Sequence, residues 1–280
     1  MSEPVMREGK KVCLLLPWYK EVHPLTSFST MGLIDRERTK LILRFGDAFV
    51  IHTRNKLVDD FLKSECEWSL WIDSDMVVPY GNAVWFRAYS GFDLPDPFAG
   101  FNTIDRLMSH GKTIVSATYY GRWKHGRPIF AEAMNNPEFT DTIRKPSDRI
   151  LPTKWCGFGC VLVHRSVFLD IEKRFPHLAR GADGNGGNWF TPDGNDLRAA
   201  MSDIQAALEN LSVSENVRNM QAAELLNSAL RETERAGGIG QGEDVAFCVR
   251  AAKCGHQPFV DLGLLAGHVG HWVFGPNNAR

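Results

Sequence analysis

The stretch that decides the fold is LWIDSDMVVP, residues 70–79, in which two aspartates follow an apolar run. The run predicts a buried strand. Burying two acids without a cation would cost several kcal/mol, so Asp73 and Asp75 are expected at a rim or beside a positive group. Because side chains alternate along a strand, both carboxylates point the same way. Two such oxygen ligands suit Mg²⁺ or Mn²⁺; the alternative is that they cap a turn.

Strand-like and helix-like segments alternate on both sides of this motif. KKVCLLLPWY (10–19) has the continuous apolar run of a central parallel strand, ended by Pro17. The alternation predicts an α/β domain with a mostly parallel central sheet, helices on both faces and ligands beyond the carboxyl ends of the strands. The other predicted elements are a helix over 27–46 that stops at Gly46, a strand over 47–52, a helix over 53–65 with Thr53 as N-cap, strands over 67–73 and 112–121, and a turn, strand and helix over 156–175.

One region interrupts the alternation. A glycine- and asparagine-rich loop (181–196) precedes apolar residues at helical spacing from Leu197 to Leu211. SVSE (212–215) has the form of a capping box and predicts the start of a second helix. We therefore expect one domain over 1–280 with a helical hairpin inserted at 196–236. The hairpin is expected to shape acceptor choice or a subunit contact.

Two further segments contain residues suited to chemistry. GEDVAFCVRAAKCGH (242–256) predicts a helix with Glu243 and Asp244 in its first turn, where the helix dipole favours carboxylates. Its glycine-rich approach indicates that at least one of the two acids faces a ligand, as a general base. DLGLLAGHVGHW (261–272) places His268 and His271 three apart in a loop of small residues. His268 is expected to join Asp75 on a divalent cation; the alternative is a histidine hydrogen-bonded in a turn.

Composition excludes several classes of protein. The net charge of −1 gives no overall basic field to attract nucleic acid, and no apolar run approaches a membrane span. The first residues lack a signal-peptide core, and the six cysteines include no CxxC pair, so we expect reduced thiols in a cytoplasmic protein. There is no GxxxxGK[ST], no GxGxxG after the first strand, and no serine for a nucleophile elbow in CGFGC (156–160).

The order of these motifs resembles that of nucleotide-sugar-dependent glycosyltransferases of the A-type (GT-A) fold, particularly family-2-like and mannan-polymerase-like enzymes. The resemblance covers most of the chain except 196–236. It implies a Rossmann-like domain, Mn²⁺ or Mg²⁺, and a UDP- or GDP-sugar as donor of a hexosyl or pentosyl group. The implied acceptor is a hydroxyl of a glycan, a protein or a hydroxylated DNA base. Inversion is favoured over retention, although the mannan-like branch retains configuration.

The resemblance also implies roles for individual residues. Asp73 and Asp75 look like the family's Asp-x-Asp motif, in which the second acid binds the metal on the diphosphate and the first lies near the ribose or a metal-bound water. Asp244, in a Glu-Asp pair with Glu243, would deprotonate the acceptor, and His268 would complete the metal site. The donor-binding set implied beside Asp73 is Pro17, Arg54, Asn55 and Gly157, the last in the segment that closes over donor and acceptor.

Two alternatives stay open. A nucleotidyltransferase acting on a sugar phosphate also combines an α/β sheet with paired acids and a metal. It usually has a glycine- and lysine-rich loop after the first strand, where this chain has PWYKEVHPLTSF (17–28). The other alternative is a catalytically silent nucleotide-sugar-binding module, which Asp75 and Asp244 argue against.

Overall fold

The computed structural model describes residues 11–18, 22–45, 50–79, 102–122, 128–131, 149–191, 242–269 and 273–274. The predicted hairpin at 196–236 and His271 lie outside these residues. Among the described residues, no helix is long and apolar enough to cross a membrane. The helices are α1 (Pro24–Gly32), α2 (Val50–Lys63), α3 (Thr103–Ser109), α4 (Arg165–Arg174) and α5 (Glu243–Lys253), with a short 3-10 turn at Pro176–Leu178.

The described residues form a central seven-stranded sheet, in the order β2-β1-β3-β7-β5-β8-β6. Five strands run in one direction, and β6 and β7 run against them. The predicted α/β class with a mostly parallel sheet flanked by helices is confirmed. A small antiparallel sheet, β10-β9-β4, lies at the edge where β3 ends. The strands are β1 (Val12–Trp18), β2 (Thr39–Phe45), β3 (Trp68–Ile72), β4 (Met76–Val77), β5 (Ile114–Thr118), β6 (Ile150–Pro152), β7 (Cys160–His164), β8 (Phe259–Leu265), β9 (Gly267–Val269) and β10 (Val273–Phe274).

The central strands are buried on both faces, as their continuous apolar runs predict. Alternate residues of β1 enter different cores: Leu15 packs with the side of α2, α4 and α5, and Leu14 with the side of α3. The first core is rich in aromatic rings, among them Trp71 and Phe247. Both cores extend to the carboxyl ends of β1 and β3, so the polar groups there rest on a packed base.

The region between β1 and β3 differs from the prediction. The helix predicted over 27–46 is wrong, because α1 ends at Gly32 and residues 39–45 form β2. The strand predicted over 47–52 is also wrong where it is described, because α2 begins at Val50, and Thr53 is therefore not its N-cap. The sequence LILR suits a helix or a strand; parallel pairing with β1, a long-range contact, decides for the strand.

Other local predictions hold. Helix α5 begins at Glu243, and Gly255 follows its C-cap with φ +89°, the left-handed conformation that favours glycine. All six cysteines are free and five are buried, as expected of reduced thiols.

His268, predicted in a loop, instead lies in β9, where it pairs with Met76 of β4.

Candidate active site

The end of β3 brings the Asp-x-Asp motif to the carboxyl edge of the parallel strands. The register pairs Leu15 with Trp71, which places Pro17 level with Asp73 at that edge. The backbone N–H of Asp73 donates to the carbonyl of Gly159 at 3.1 Å, so the turn is tied to the segment before β7. The acids therefore stand at the carboxyl edge of the sheet, as expected.

Three carboxylates surround the guanidinium of Arg54, in what we call the Arg54 cluster (Arg54, Asp73, Glu243, Asp244). Arg54 Nη2 donates to both oxygens of Asp73 at 3.0 Å, and Nη1 donates to Glu243 Oε1 at 2.9 Å and to Asp244. The arginine side chain is only 3% exposed. Helix α2 thus supplies the positive group that Asp73 requires, and it links Asp73 to the acid pair of α5.

Burial and charge together set the ionisation of this cluster. Burial raises the pKa of Asp244 to about 7, and the carboxylates of Glu243 and Asp73 add to the rise although Arg54 opposes it. Burial also raises the pKa of Asp73, again against the effect of Arg54. Burial alone would lower the pKa of Arg54, but its three carboxylates raise it, so the guanidinium stays charged. Asp244 therefore keeps its proton to a higher pH than an ordinary aspartate.

Asp75 belongs to a second, more open group, the Asp75 cluster (Asp75, Arg122, His268). Asp75 Oδ2 lies 2.7 Å from Arg122 Nη1 and 3.5 Å from His268 Nε2. His268 Nδ1 lies 2.8 Å from the carbonyl of Tyr120; a carbonyl only accepts, so Nδ1 carries a proton, and Nε2 faces Asp75. Burial would raise the pKa of Asp75, but His268 and Arg122 outweigh it and hold that pKa below its ordinary value.

A cavity of about 470 Å³ opens between the two clusters, a volume typical of small-molecule sites. Asp73 of the Arg54 cluster and two members of the Asp75 cluster, Arg122 and His268, line it. The rest of the wall includes Tyr119, Ile129 and Gly159. A ligand in this cavity would meet carboxylate, guanidinium and imidazole groups together with an aromatic ring.

The CGFGC segment joins the clusters to this wall. The N–H of Phe158 donates to Asp244 Oδ2 at 3.0 Å, and the N–H of Gly159 donates to the hydroxyl of Tyr119 at 3.0 Å. A Cβ on Gly157 would lie 2.0 Å from that hydroxyl. Only glycine fits position 157 without displacing Tyr119, which explains the glycine by close packing against the cavity wall.

The structure brings together most of the predicted site residues, with different surroundings for each. Asn55 lies beside Arg54, but its amide bonds the backbone N–H of Phe190 and the hydroxyl of Thr191, at 3.0 and 3.1 Å. It therefore anchors the loop before residue 192, and a role beside a donor stays a prediction. Arg122 and Tyr119 escaped the sequence analysis. The signal for both is their position just beyond the carboxyl end of β5, inside TYYGR (118–122).

Asp75 and His268 suit a divalent cation whose other ligands come from water and from a bound phosphate group. Among the described residues, no three His, Cys, Asp or Glu side chains are arranged to hold a metal by themselves. Asp75 and the outward Nε2 of His268 would supply two ligands, and the Nδ1–H bond of His268 to a backbone carbonyl is a common support for a metal-bound imidazole. Mg²⁺ and Mn²⁺ accept such sparse protein ligation because water and phosphate oxygens complete their shells.

The sequence matches no protein-family model and no curated protein. Two solved structures are distantly similar in fold. The first is A197 from STIV, with 12% identity and a TM-score of 0.47 over 96% of this chain and 91% of that one. The second is GalNAc-T7 with UDP, GalNAc and Mn²⁺, with 9% identity and a TM-score of 0.40 over 96% of this chain. This chain spans about half of GalNAc-T7, with 47% of it covered. Likenesses this distant transfer no activity, so function has to be argued from the residues themselves.

Proposed function

We propose that this protein is a metal-dependent glycosyltransferase that moves a sugar from a nucleotide-sugar donor to a hydroxyl acceptor. The observation that supports this best is the convergence of residues far apart in sequence on one cavity. Asp73 and His268 line it, Asp75 Oδ2 lies 3.5 Å from His268 Nε2, and Arg54 connects Asp73 to Glu243 and Asp244. Metal-dependent transfer from a sugar nucleotide with inversion uses a cation and a base close together, and residues suited to both roles lie at this edge of the sheet.

Asp244 is the proposed general base. A base works best when its pKa is near the operating pH, and the pKa of Asp244 is raised to about 7. Its two hydrogen bonds, from Arg54 and from the N–H of Phe158, hold the carboxylate in one orientation. Glu243 shares Arg54 and raises the pKa of Asp244 by its charge, which makes it a positioning residue in this scheme.

Asp75 and His268 are the proposed ligands of Mn²⁺ or Mg²⁺, with Asp73 beside them at the cavity. Such an ion, when bound, stabilises negative charge on the departing nucleoside diphosphate. Both oxygens of Asp73 accept from Arg54 Nη2, which holds the carboxylate in one orientation, and its proposed place is beside the ribose or a metal-bound water. We further propose a UDP- or GDP-sugar as donor and inversion of configuration by direct attack.

The test is donor turnover. The purified protein is incubated with a panel of UDP-, GDP- and other sugar nucleotides, with and without Mn²⁺, and release of nucleoside diphosphate is measured. We expect release from one donor class that requires the metal, and loss of that release in Asp244→Asn. Asp60→Asn serves as a matched control, because Asp60 is an aspartate paired with an arginine on the exposed side of α2.

Two added measurements, incubation with a nucleoside triphosphate and a sugar phosphate and calorimetry with sugar nucleotides, separate the alternatives. A nucleotidyltransferase would form a sugar nucleotide and pyrophosphate from a nucleoside triphosphate and a sugar phosphate, without releasing nucleoside diphosphate from any donor. A silent binding module would bind a sugar nucleotide by calorimetry and turn over none. Either result would overturn the glycosyltransferase proposal.

A further inference from the structure

Arg122 stands where a cation would stand on Asp75. Its Nη1 lies 2.7 Å from Asp75 Oδ2, the oxygen that also faces His268 Nε2 at 3.5 Å. The Arg122 side chain is 52% exposed, in contrast to the 3% of Arg54. Asp75 Oδ2 therefore has the long, water-accessible side chain of Arg122 on one side and the imidazole of His268 on the other.

A divalent ion and a guanidinium cannot both keep Asp75 Oδ2 at contact distance. Both are positive, and at about 4 Å their repulsion is several kcal/mol at the effective dielectric of a protein surface. An exposed arginine leaves at small cost, because exposed ion pairs contribute only about 0–1 kcal/mol. Arg122 already forms part of the cavity wall, beside Asp73 and His268. The nearest place for its charge is then the cavity, where it would meet an anionic ligand.

We propose that Arg122 is an exchangeable counter-ion. It neutralises Asp75 in the ligand-free protein and turns to the diphosphate of the donor when a divalent cation takes Asp75. The fork of a guanidinium matches phosphate oxygens in a bidentate manner, which suits this second position. This inference rests on the proposed function, since it uses Asp75 as the cation ligand. It adds a coupling: metal binding releases the residue that binds the diphosphate.

The test compares two affinities in four proteins: wild type, Arg122→Gln, Arg122→Lys and the control Arg44→Gln. Arg44 is a matched arginine, 47% exposed and paired with Asp60 away from the cavity. Mn²⁺ alone is titrated first, and UDP and GDP are then titrated at saturating Mn²⁺, all by calorimetry. Thermal unfolding confirms that each variant is folded, which the exposure of both arginines leads us to expect.

Opposite changes are expected in Arg122→Gln. Mn²⁺ alone should bind several-fold more tightly, because no guanidinium competes for Asp75. The nucleoside diphosphate should bind about tenfold or more weakly, because a charge-assisted hydrogen bond is lost. Arg122→Lys, which keeps the charge but not the fork, should fall between, and Arg44→Gln should match wild type.

The opposite changes in Mn²⁺ affinity and nucleoside diphosphate affinity separate this inference from simpler ones. An arginine that only binds phosphate would weaken nucleotide binding and leave Mn²⁺ affinity unchanged, and that result would overturn the exchange. Wild-type affinities for both ligands in Arg122→Gln would overturn it as well, with the proposed function intact. If wild-type protein binds neither Mn²⁺ nor a nucleoside diphosphate, the proposed function fails, and the exchange with it.

Discussion

The Arg54 cluster and the Asp75 cluster lie at the same edge of the sheet, and they treat charge in opposite ways. In the first, one buried arginine holds three carboxylates, and its side chain is 3% exposed. In the second, one aspartate lies between an arginine and a histidine, and the arginine is 52% exposed. The Arg54 cluster has more carboxylates than cations and lies against the packed core. The Asp75 cluster pairs its carboxylate with Arg122 and is accessible to water.

The difference indicates which cluster holds the site in shape and which one exchanges ligands. Removing one partner from a buried ion pair leaves an uncompensated charge and is strongly destabilising, whereas an exposed pair breaks at little cost. Arg54 also lies 5.4 Å from the ring of Phe158 and 5.7 Å from that of Phe190, so it is held by packing as well. We therefore expect stability to depend on the Arg54 cluster and ligand affinity to depend on the Asp75 cluster.

The largest effect is expected from Arg54→Ala. Three carboxylates would lose their shared cation, so the free energy of unfolding should fall by about 3–5 kcal/mol, measured by urea denaturation. Arg44→Ala, which removes an exposed pair with Asp60, should cost about 0–1 kcal/mol. If Arg54→Ala fails to fold, Arg54→Lys provides the measurement and should lie between the two. A loss no greater than that of Arg44→Ala would remove the contrast between the clusters.

Asp244→Asn should lower turnover about 10²-fold or more with little change in donor affinity, because it keeps the shape and removes the proton acceptor. Wild-type turnover should rise with pH through about 7 as Asp244 ionises. Near wild-type turnover in the variant would mean that Asp244 is only a helix-start acid.

The same variant tests the raised pKa by stability. The pKa of Asp244 is raised from 3.8 to about 7 on folding, so its contribution to stability is present below the unfolded value and is lost as pH rises through about 7. Asparagine has no charge to bury. The free energy of unfolding of Asp244→Asn relative to wild type should therefore increase between pH 4 and pH 8, and a flat difference would contradict the raised pKa.

Asp75→Ala tests whether the Asp75 cluster determines ligand affinity rather than stability. In calorimetry, metal-dependent binding of a nucleoside diphosphate should be lost. The free energy of unfolding should change by about 1 kcal/mol or less, because the Asp75 side chain is 26% exposed and pairs with the exposed Arg122. Unchanged nucleotide affinity with Mn²⁺ present would exclude Asp75 as the metal ligand. A loss of stability as large as that of Arg54→Ala would mean that both clusters are structural.

Gly157→Ala tests the wall between the clusters through stability alone. Its Cβ would lie 2.0 Å from the Tyr119 hydroxyl, so the tyrosine must shift, at a cost of about 1–3 kcal/mol in unfolding free energy. Gly242→Ala is the matched control, because a Cβ there meets nothing within 4 Å. Equal stabilities of the two variants would show that Tyr119 moves freely and does not fix the wall.

Elements set by local sequence patterns are predicted correctly, and elements set by contacts between distant residues are not. The apolar run of β1, the Asp-x-Asp turn after β3 and the start of α5 at Glu243 all follow local patterns, and the structure has them as predicted. The region 27–52 was mispredicted because its helix or strand choice depends on pairing with β1. Arg122 follows the carboxyl end of β5, but its pairing with Asp75 is a long-range contact that the sequence does not show.

By itself the sequence determined the α/β class, the sheet edge at which the acids gather and the residue types able to hold a cation and accept a proton, because strand periodicity, helix caps and side-chain chemistry are local properties. Only the tertiary structure decided how these charges divide. It placed Arg54, one turn into α2, in the middle of three acids from two other elements, and it set Arg122 rather than Arg54 against Asp75. Coulomb interactions and burial depend on distance in space, and sequence separations of up to 190 residues, as between Arg54 and Asp244, carry no record of that distance.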